Sequence, residues 1–110
     1  VNISRLTDAC SVSQQIAPQD VAEIARLGYK AIVCNRPDGE DFGQPTAASI
    51  SVECEANGIA FHNIPISKPG LNAGMIEQFR DIVANSGGPV LAYCRSGQRS
   101  AVLWQASGGP

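Results

Sequence analysis

The chain has 110 residues, 44% of them hydrophobic, which suits a single domain spanning residues 1–110 with a core of modest size. Eight Lys and Arg against ten Asp and Glu leave a formal charge of -2, which argues against nucleic acid or an anionic membrane as partner, since either requires a basic face. No stretch is apolar and long enough to span a bilayer and no signal-peptide pattern opens the chain, so a cytoplasmic location is expected; the start at Val1 rather than Met is consistent with a trimmed or excised piece.

In chain order, Ile3 to Val12 mixes β-branched and polar residues and reads as an edge hairpin or strand leading to Gln14-Gln15-Ile16. Pro18 starts a helix with Asp20 and Glu23 in its first turns and Val21, Ile24, Ala25 and Leu27 on one face, and Gly28 closes it. Tyr29 to Cys34 is a buried strand, ended by the turn chemistry of Asn35-Arg36-Pro37-Asp38-Gly39-Glu40. Thr46 opens a second helix, with Ala48, Ile50, Val52 and Ala56 as its apolar members, which stops at Asn57-Gly58. Ile59 to Ile64 alternates as a strand, and Pro65 to Gly70 form a loop. Asn72 caps a third helix carrying Met75, Ile76, Phe79, Ile82 and Val83, until Ser86-Gly87-Gly88-Pro89 breaks the pattern. Pro89 to Tyr93 is a further apolar strand, and Ala101 to Ala106 form a last helix that Leu103 and Trp104 anchor to the core.

Strands alternating with helices imply an α/β fold, a central and mostly parallel sheet flanked by helices, whose ligands bind at the carboxyl ends of the strands. The loops that begin at Asn35, Pro65 and Cys94 gather at that end.

Cys94-Arg95-Ser96-Gly97-Gln98-Arg99-Ser100 lies between a strand and a helix, where converging backbone N–H groups and the helix dipole bind anions. The same field acidifies a thiol, so Cys94 reads as a nucleophile toward an anionic substrate. Gly97 allows the tight turn, Arg99 offers a planar fork for two anion oxygens, and Ser100 can hold the thiolate or cap the helix. Arg95, Ser96 and Gln98 complete the anion-binding loop. Cys10, Cys34, Cys54 and Cys94 contain no Cys-x-x-Cys pair and are expected as reduced thiols, with no metal and no cofactor. Cys34 reads as a small buried hydrophobe and His62 as a strand residue rather than a base.

Three resemblances follow from these residues. The loop from Cys94 to Ser100 looks like that of rhodaneses, with four residues between cysteine and arginine. The strands Ala31-Ile32-Val33-Cys34-Asn35-Arg36 and Phe61-His62-Asn63-Ile64-Pro65-Ile66 look like those of dual-specificity phosphatases, which place five residues there. The combination with Asn35-Arg36-Pro37-Asp38-Gly39-Glu40, over nearly the whole chain, most resembles the phosphatase-like domain of bacterial beta-lactamase hydrolase-like proteins. That resemblance implies a cysteine-phosphatase-like fold and, as a partner, a metallo-β-lactamase-type persulfide dioxygenase.

Between phosphate and sulfur chemistry, two features favour sulfur. Cysteine phosphatases need an acid for the leaving oxygen, and Ile64-Pro65-Ile66-Ser67-Lys68-Pro69-Gly70 holds no carboxylate. The short loop also suits one sulfur atom better than a tetrahedral phosphate. The expectation is therefore a sulfurtransferase moving sulfane sulfur from thiosulfate or a persulfide through a persulfide on Cys94. A phosphatase acting on a phosphoester through a phosphocysteine is the alternative, and a non-catalytic anion or persulfide sensor the second. Arg36, Asp38 and Glu40 stand as auxiliary residues; Asp38, Glu40 or Asp41 could supply an acid from the loop after the Cys34 strand.

Overall fold

Three runs, two of them apolar and the first half serine, are buried along their whole length and form the inner strands of a five-stranded sheet: β2 (Cys10–Ser13), β3 (Ala31–Cys34) and β5 (Val90–Tyr93). Continuous burial on both faces is what parallel strands between helix layers experience. The computed structural model describes residues 1–110, and adds β1 (Ile3–Arg5) and β4 (Ala60–Asn63) as the two edges. The order is β1-β2-β5-β3-β4, with β1 antiparallel to β2 and every other pair parallel. The first segment is thus not an edge hairpin as a whole, since β2 lies inside the sheet against β5.

Helices α1 (Val21–Arg26) and α2 (Ala47–Ala56) contribute to one core cluster, and α3 (Ala73–Asn85) and α4 (Gln98–Ala106) to the other. The period of two in a strand divides β5 between them: Leu91 and Tyr93 meet Val21, Ile24 and Ile50, while Val90 and Ala92 meet Phe79, Ile82 and Leu103. Thr46 and Asn72 cap α2 and α3, each side-chain oxygen accepting an N–H three residues on, from Ser49 at 3.1 Å and Met75 at 2.9 Å.

Four elements depart from the sequence reading. A single 3-10 turn, Pro18–Asp20, precedes α1. Tyr29 and Lys30 precede β3, and the Tyr29 hydroxyl donates to Ser11 Oγ at 2.8 Å. Val52 is exposed, because it sits about 200° around the helix from buried Ile50. Most consequentially, α4 begins at Gln98 rather than Ala101, so Arg99 and Ser100 belong to its first turn. No helix is long and apolar enough to cross a membrane.

The packing predicts that Leu103→Ala, at a fully buried position, costs ~2–5 kcal/mol in urea denaturation. Asn72→Ala should cost ~1 kcal/mol through the lost cap, and Val52→Ala should stay within ~0.5 kcal/mol.

Candidate active site

β5 delivers Cys94 to the carboxyl end of the sheet centre, between β2 and β3. The chain then reverses at Gly97, which caps α4 in the left-handed region at φ 97°. A Cβ there would be strained and would lie 3.4 Å from the Ser13 carbonyl, so only glycine fits without cost. This turn aims donors at one atom. The Gly97 N–H donates to Cys94 Sγ at 3.0 Å. Burial alone would raise the Cys94 thiol, but the N–H groups of Ser100, Gly97 and Ser96 and the Ser100 hydroxyl together hold it below its ordinary value. The other three thiols go the opposite way: burial pushes Cys10 up to about 12 and Cys54 up to about 11, and raises Cys34. All four cysteines are free, and only Cys94 is shifted toward the thiolate.

Three loops are tied together under this thiol. The Asn35 N–H continues the β3–β5 ladder by donating to the Tyr93 carbonyl at 2.8 Å. Its buried side chain donates from Nδ2 to the Ile64 carbonyl at 2.9 Å and accepts the Ser100 hydroxyl at 2.8 Å. On the other flank, Cys94 N–H donates to the Ser13 carbonyl at 3.4 Å and Gln15 N–H to the Arg95 carbonyl at 3.2 Å. Asn35 and Gln15 are positioning residues that sequence reasoning passed over; a polar residue just past a buried strand gives the only signal, and turn chemistry explains it equally well.

Arg99 rises from the first turn of α4 and makes a two-pronged pair with Glu40, at 2.7 and 2.8 Å, while also donating to the Ile66 carbonyl at 2.9 Å. Glu40 is shared. Arg36, almost wholly buried, donates from Nε to Glu40 at 2.9 Å, from a second nitrogen to Asp41 at 2.7 Å, and from the third to Gln15 at 3.2 Å. Hydrogen bonding to Arg99, joined by Arg36, lowers the Glu40 carboxyl to about 2. Arg95 is largely solvated, 3.4 Å from Asp41. The Ser96 hydroxyl accepts the N–H of exposed Gln98 at 3.3 Å.

Of the auxiliary residues, Arg36 and Glu40 join the cradle and Asp38 does not. Asp38 accepts the Ala47 N–H at 2.8 Å, because the open N-terminus of α2 competes for the nearest carboxylate. Cys34 donates to the Arg36 carbonyl at 3.3 Å inside the core, and His62 lines a separate cleft with Gln78 and Asp81. Two clefts flank Arg99: one of about 320 Å³ against Ile66, Leu71, Ser96 and Val102, the other of about 490 Å³ against Glu40, Ser67 and Lys68.

A family model described as "Beta-lactamase hydrolase-like protein, phosphatase-like domain" matches residues 2–109. A beta-lactamase hydrolase-like protein of Agrobacterium fabrum is 31% identical over 100 residues, which are 91% of this chain and 23% of that protein. The chain therefore spans about a quarter of the length of the curated relatives it matches. Among solved structures, a candidate phosphatase from Neisseria meningitidis is 39% identical, with a TM-score of 0.82 over 93% of this chain and 72% of that one. TpbA of P. aeruginosa, solved with pTyr, shares the fold at 19% identity and a TM-score of 0.67, over all of this chain and 66% of its own.

These findings overturn the sulfur-transfer expectation. The family is phosphatase-like along nearly the whole chain, so the rhodanese-like count of four residues occurs here on a phosphatase-like scaffold. The geometry explains the misreading. Because α4 starts at Gln98, Arg99 reaches the cradle from a helix turn, and the loop needs no fifth residue to bring it there. The loop after β4 brings no carboxylate to Arg99, whereas the loop after β3 brings Glu40.

Two outcomes follow. Alkylation of Cys94 by iodoacetamide should reach half its maximal rate below the pH of an ordinary thiol, and Ser100→Ala should move that midpoint upward. Glu40 binds its proton more weakly in the fold than when unfolded, so its contribution to stability is full above the ordinary carboxyl range. That contribution fades as pH falls toward about 2, and Glu40→Gln should flatten this limb of the denaturation profile.

Proposed function

We propose that this chain, which belongs to the family of phosphatase-like domains of beta-lactamase hydrolase-like proteins, is a cysteine-dependent hydrolase of phosphoric monoesters. One observation carries the reading: a thiol favoured as thiolate sits at the focus of backbone donors, with an arginine beside it at a helix N-terminus. A tetrahedral dianion matches that focus. Its non-bridging oxygens take the loop N–H groups and the Arg99 fork, and its phosphorus comes to rest against the sulfur.

The reaction then has two displacements. Cys94 Sγ forms a bond to phosphorus as the ester P–O bond breaks, and the departing oxygen takes up a proton. Water next attacks the phosphocysteine, the S–P bond breaks, and the thiolate returns with inorganic phosphate as product. Donors fixed in advance serve both steps, because the charge that develops on the equatorial oxygens meets N–H groups already in place. The N–H groups directed at the sulfur help the thiolate to leave in the second step.

Cys94→Ser should abolish release of p-nitrophenol from p-nitrophenyl phosphate, and acid quenching of the wild type should trap phosphate on Cys94. Arg99→Ala should lower kcat/KM by ~10²–10³-fold, the loss typical of one transition-state donor. Hydrolysis that survives Cys94→Ser would overturn the reading.

A further inference from the structure

Glu40 is the carboxylate that pairs directly with Arg99, while Asp38 accepts the Ala47 N–H and Asp41 is held by Arg36 and Arg95. Its backbone is fixed: the N–H groups of Glu40 and Asp41 both donate to Gln44 Oε1, at 3.0 and 3.3 Å. No loop closure is needed to bring it in. Its two oxygens are held differently. Oε1 accepts from Arg36 Nε at 2.9 Å and from Arg99 at 2.8 Å, whereas Oε2 has Arg99 alone, at 2.7 Å.

We propose that Glu40 is the acid that protonates the leaving oxygen, and that it acquires its proton when the substrate's dianion takes Arg99 away from it. This rests on the phosphatase reading above. Arg99 faces two anionic groups, first the Glu40 carboxylate, which holds its fork, and then the Cys94 sulfur. A phosphoryl group that claims the Arg99 fork releases Oε2, while Arg36 continues to orient the carboxyl through Oε1.

The charges that face Glu40 then favour proton uptake. Glu40 and Asp41 are left with one buried guanidinium between them, Arg36, which both already use. Arg95 touches only Asp41 and is largely solvated, so it compensates weakly. Lys68, which lines the same cleft from the loop after β4, opposes uptake with one charge, and the bound dianion outweighs it with two like charges. A carboxylate that loses its strongest cationic partner and gains an anionic neighbour becomes a better base. Oε2, the oxygen set free, is the atom that receives the proton.

The chemical balance closes over both steps. Glu40 takes its proton from solvent as substrate binds and gives it to the ester oxygen as the P–O bond breaks. The resulting carboxylate accepts a proton from the water that attacks the phosphocysteine, which leaves Glu40 protonated until phosphate departs and Arg99 returns. The cleft of about 490 Å³ between Glu40, Arg99 and Ser67 has room for the departing group.

Sulfate, a dianion that does not itself titrate near neutrality, separates binding from turnover. Calorimetric titration of Cys94→Ser with sulfate, in two buffers of different ionisation enthalpy, should show uptake of about one proton per sulfate bound. The double variant Cys94→Ser/Glu40→Gln should show none. It should also bind sulfate more tightly, since Arg99 no longer has a competing carboxylate, and that binding reports a folded site. In turnover, Glu40→Gln should lose ~10²-fold more activity on an alkyl phosphate than on p-nitrophenyl phosphate, whose leaving group needs little protonation. Equal losses on the two esters, or equal proton uptake with and without Glu40, would overturn this proposal alone. A wild type that cleaves neither ester would overturn the phosphatase reading and this proposal with it.

Discussion

A thiolate cannot be buried at the end of a β-strand unless something replaces the water it gives up. Here that role falls to N–H groups of one turn, and their convergence on Cys94 Sγ is the constraint that the rest of the structure serves. Gly97 must adopt a left-handed conformation to make the turn, and α4 must begin immediately after it. β5 must be central, because only strands on both sides hold its carboxyl end rigidly enough to aim the donors. The hydrogen bonds from Cys94 to Ser13, and from Asn35 to Tyr93, extend those two ladders one residue past the strands.

A second layer of polar contacts controls the arginine. Arg36 is buried with three acceptors from three side chains, Gln15, Glu40 and Asp41, and through Glu40 it fixes where Arg99 waits. The buried charge of Arg36 is tolerated because it is paired and hydrogen-bonded. The consequence is an arginine beside the thiol that is held by an internal carboxylate. Glu40 and Arg99 lie far apart along the chain, one in a Gly- and Pro-rich turn and the other on a helix, and meet only because β3 and β5 are neighbours.

That separation accounts for the one functional misreading. Counting residues between Cys94 and Arg99, and looking for an acid in the loop after β4, treats the site as if it were built from contiguous sequence. Whether four residues make too tight a cradle depends on where α4 begins, which local propensity alone placed three residues too late. Whether a carboxylate reaches the site depends on three candidates in one turn. Asp38 goes to the N-terminus of α2, Asp41 to Arg36 and Arg95, and Glu40 to Arg99. Nothing in their spacing distinguishes them, since each assignment is made by an element from elsewhere in the chain.

The sequence by itself determined the α/β alternation, the caps at Thr46 and Asn72, and the strand-to-helix turn with its cysteine, glycine and arginine. These depend on contacts within a few residues, or on burial periodicity, and both are written along the chain. Tertiary structure alone decided that β2 lies inside the sheet, that Asn35 and Ser100 bind one another, and that Glu40 rather than Asp38 stands beside Arg99. Strand order and the partners of charged side chains are settled by which buried groups compete for the same donors and acceptors, and that competition exists only once the chain has folded.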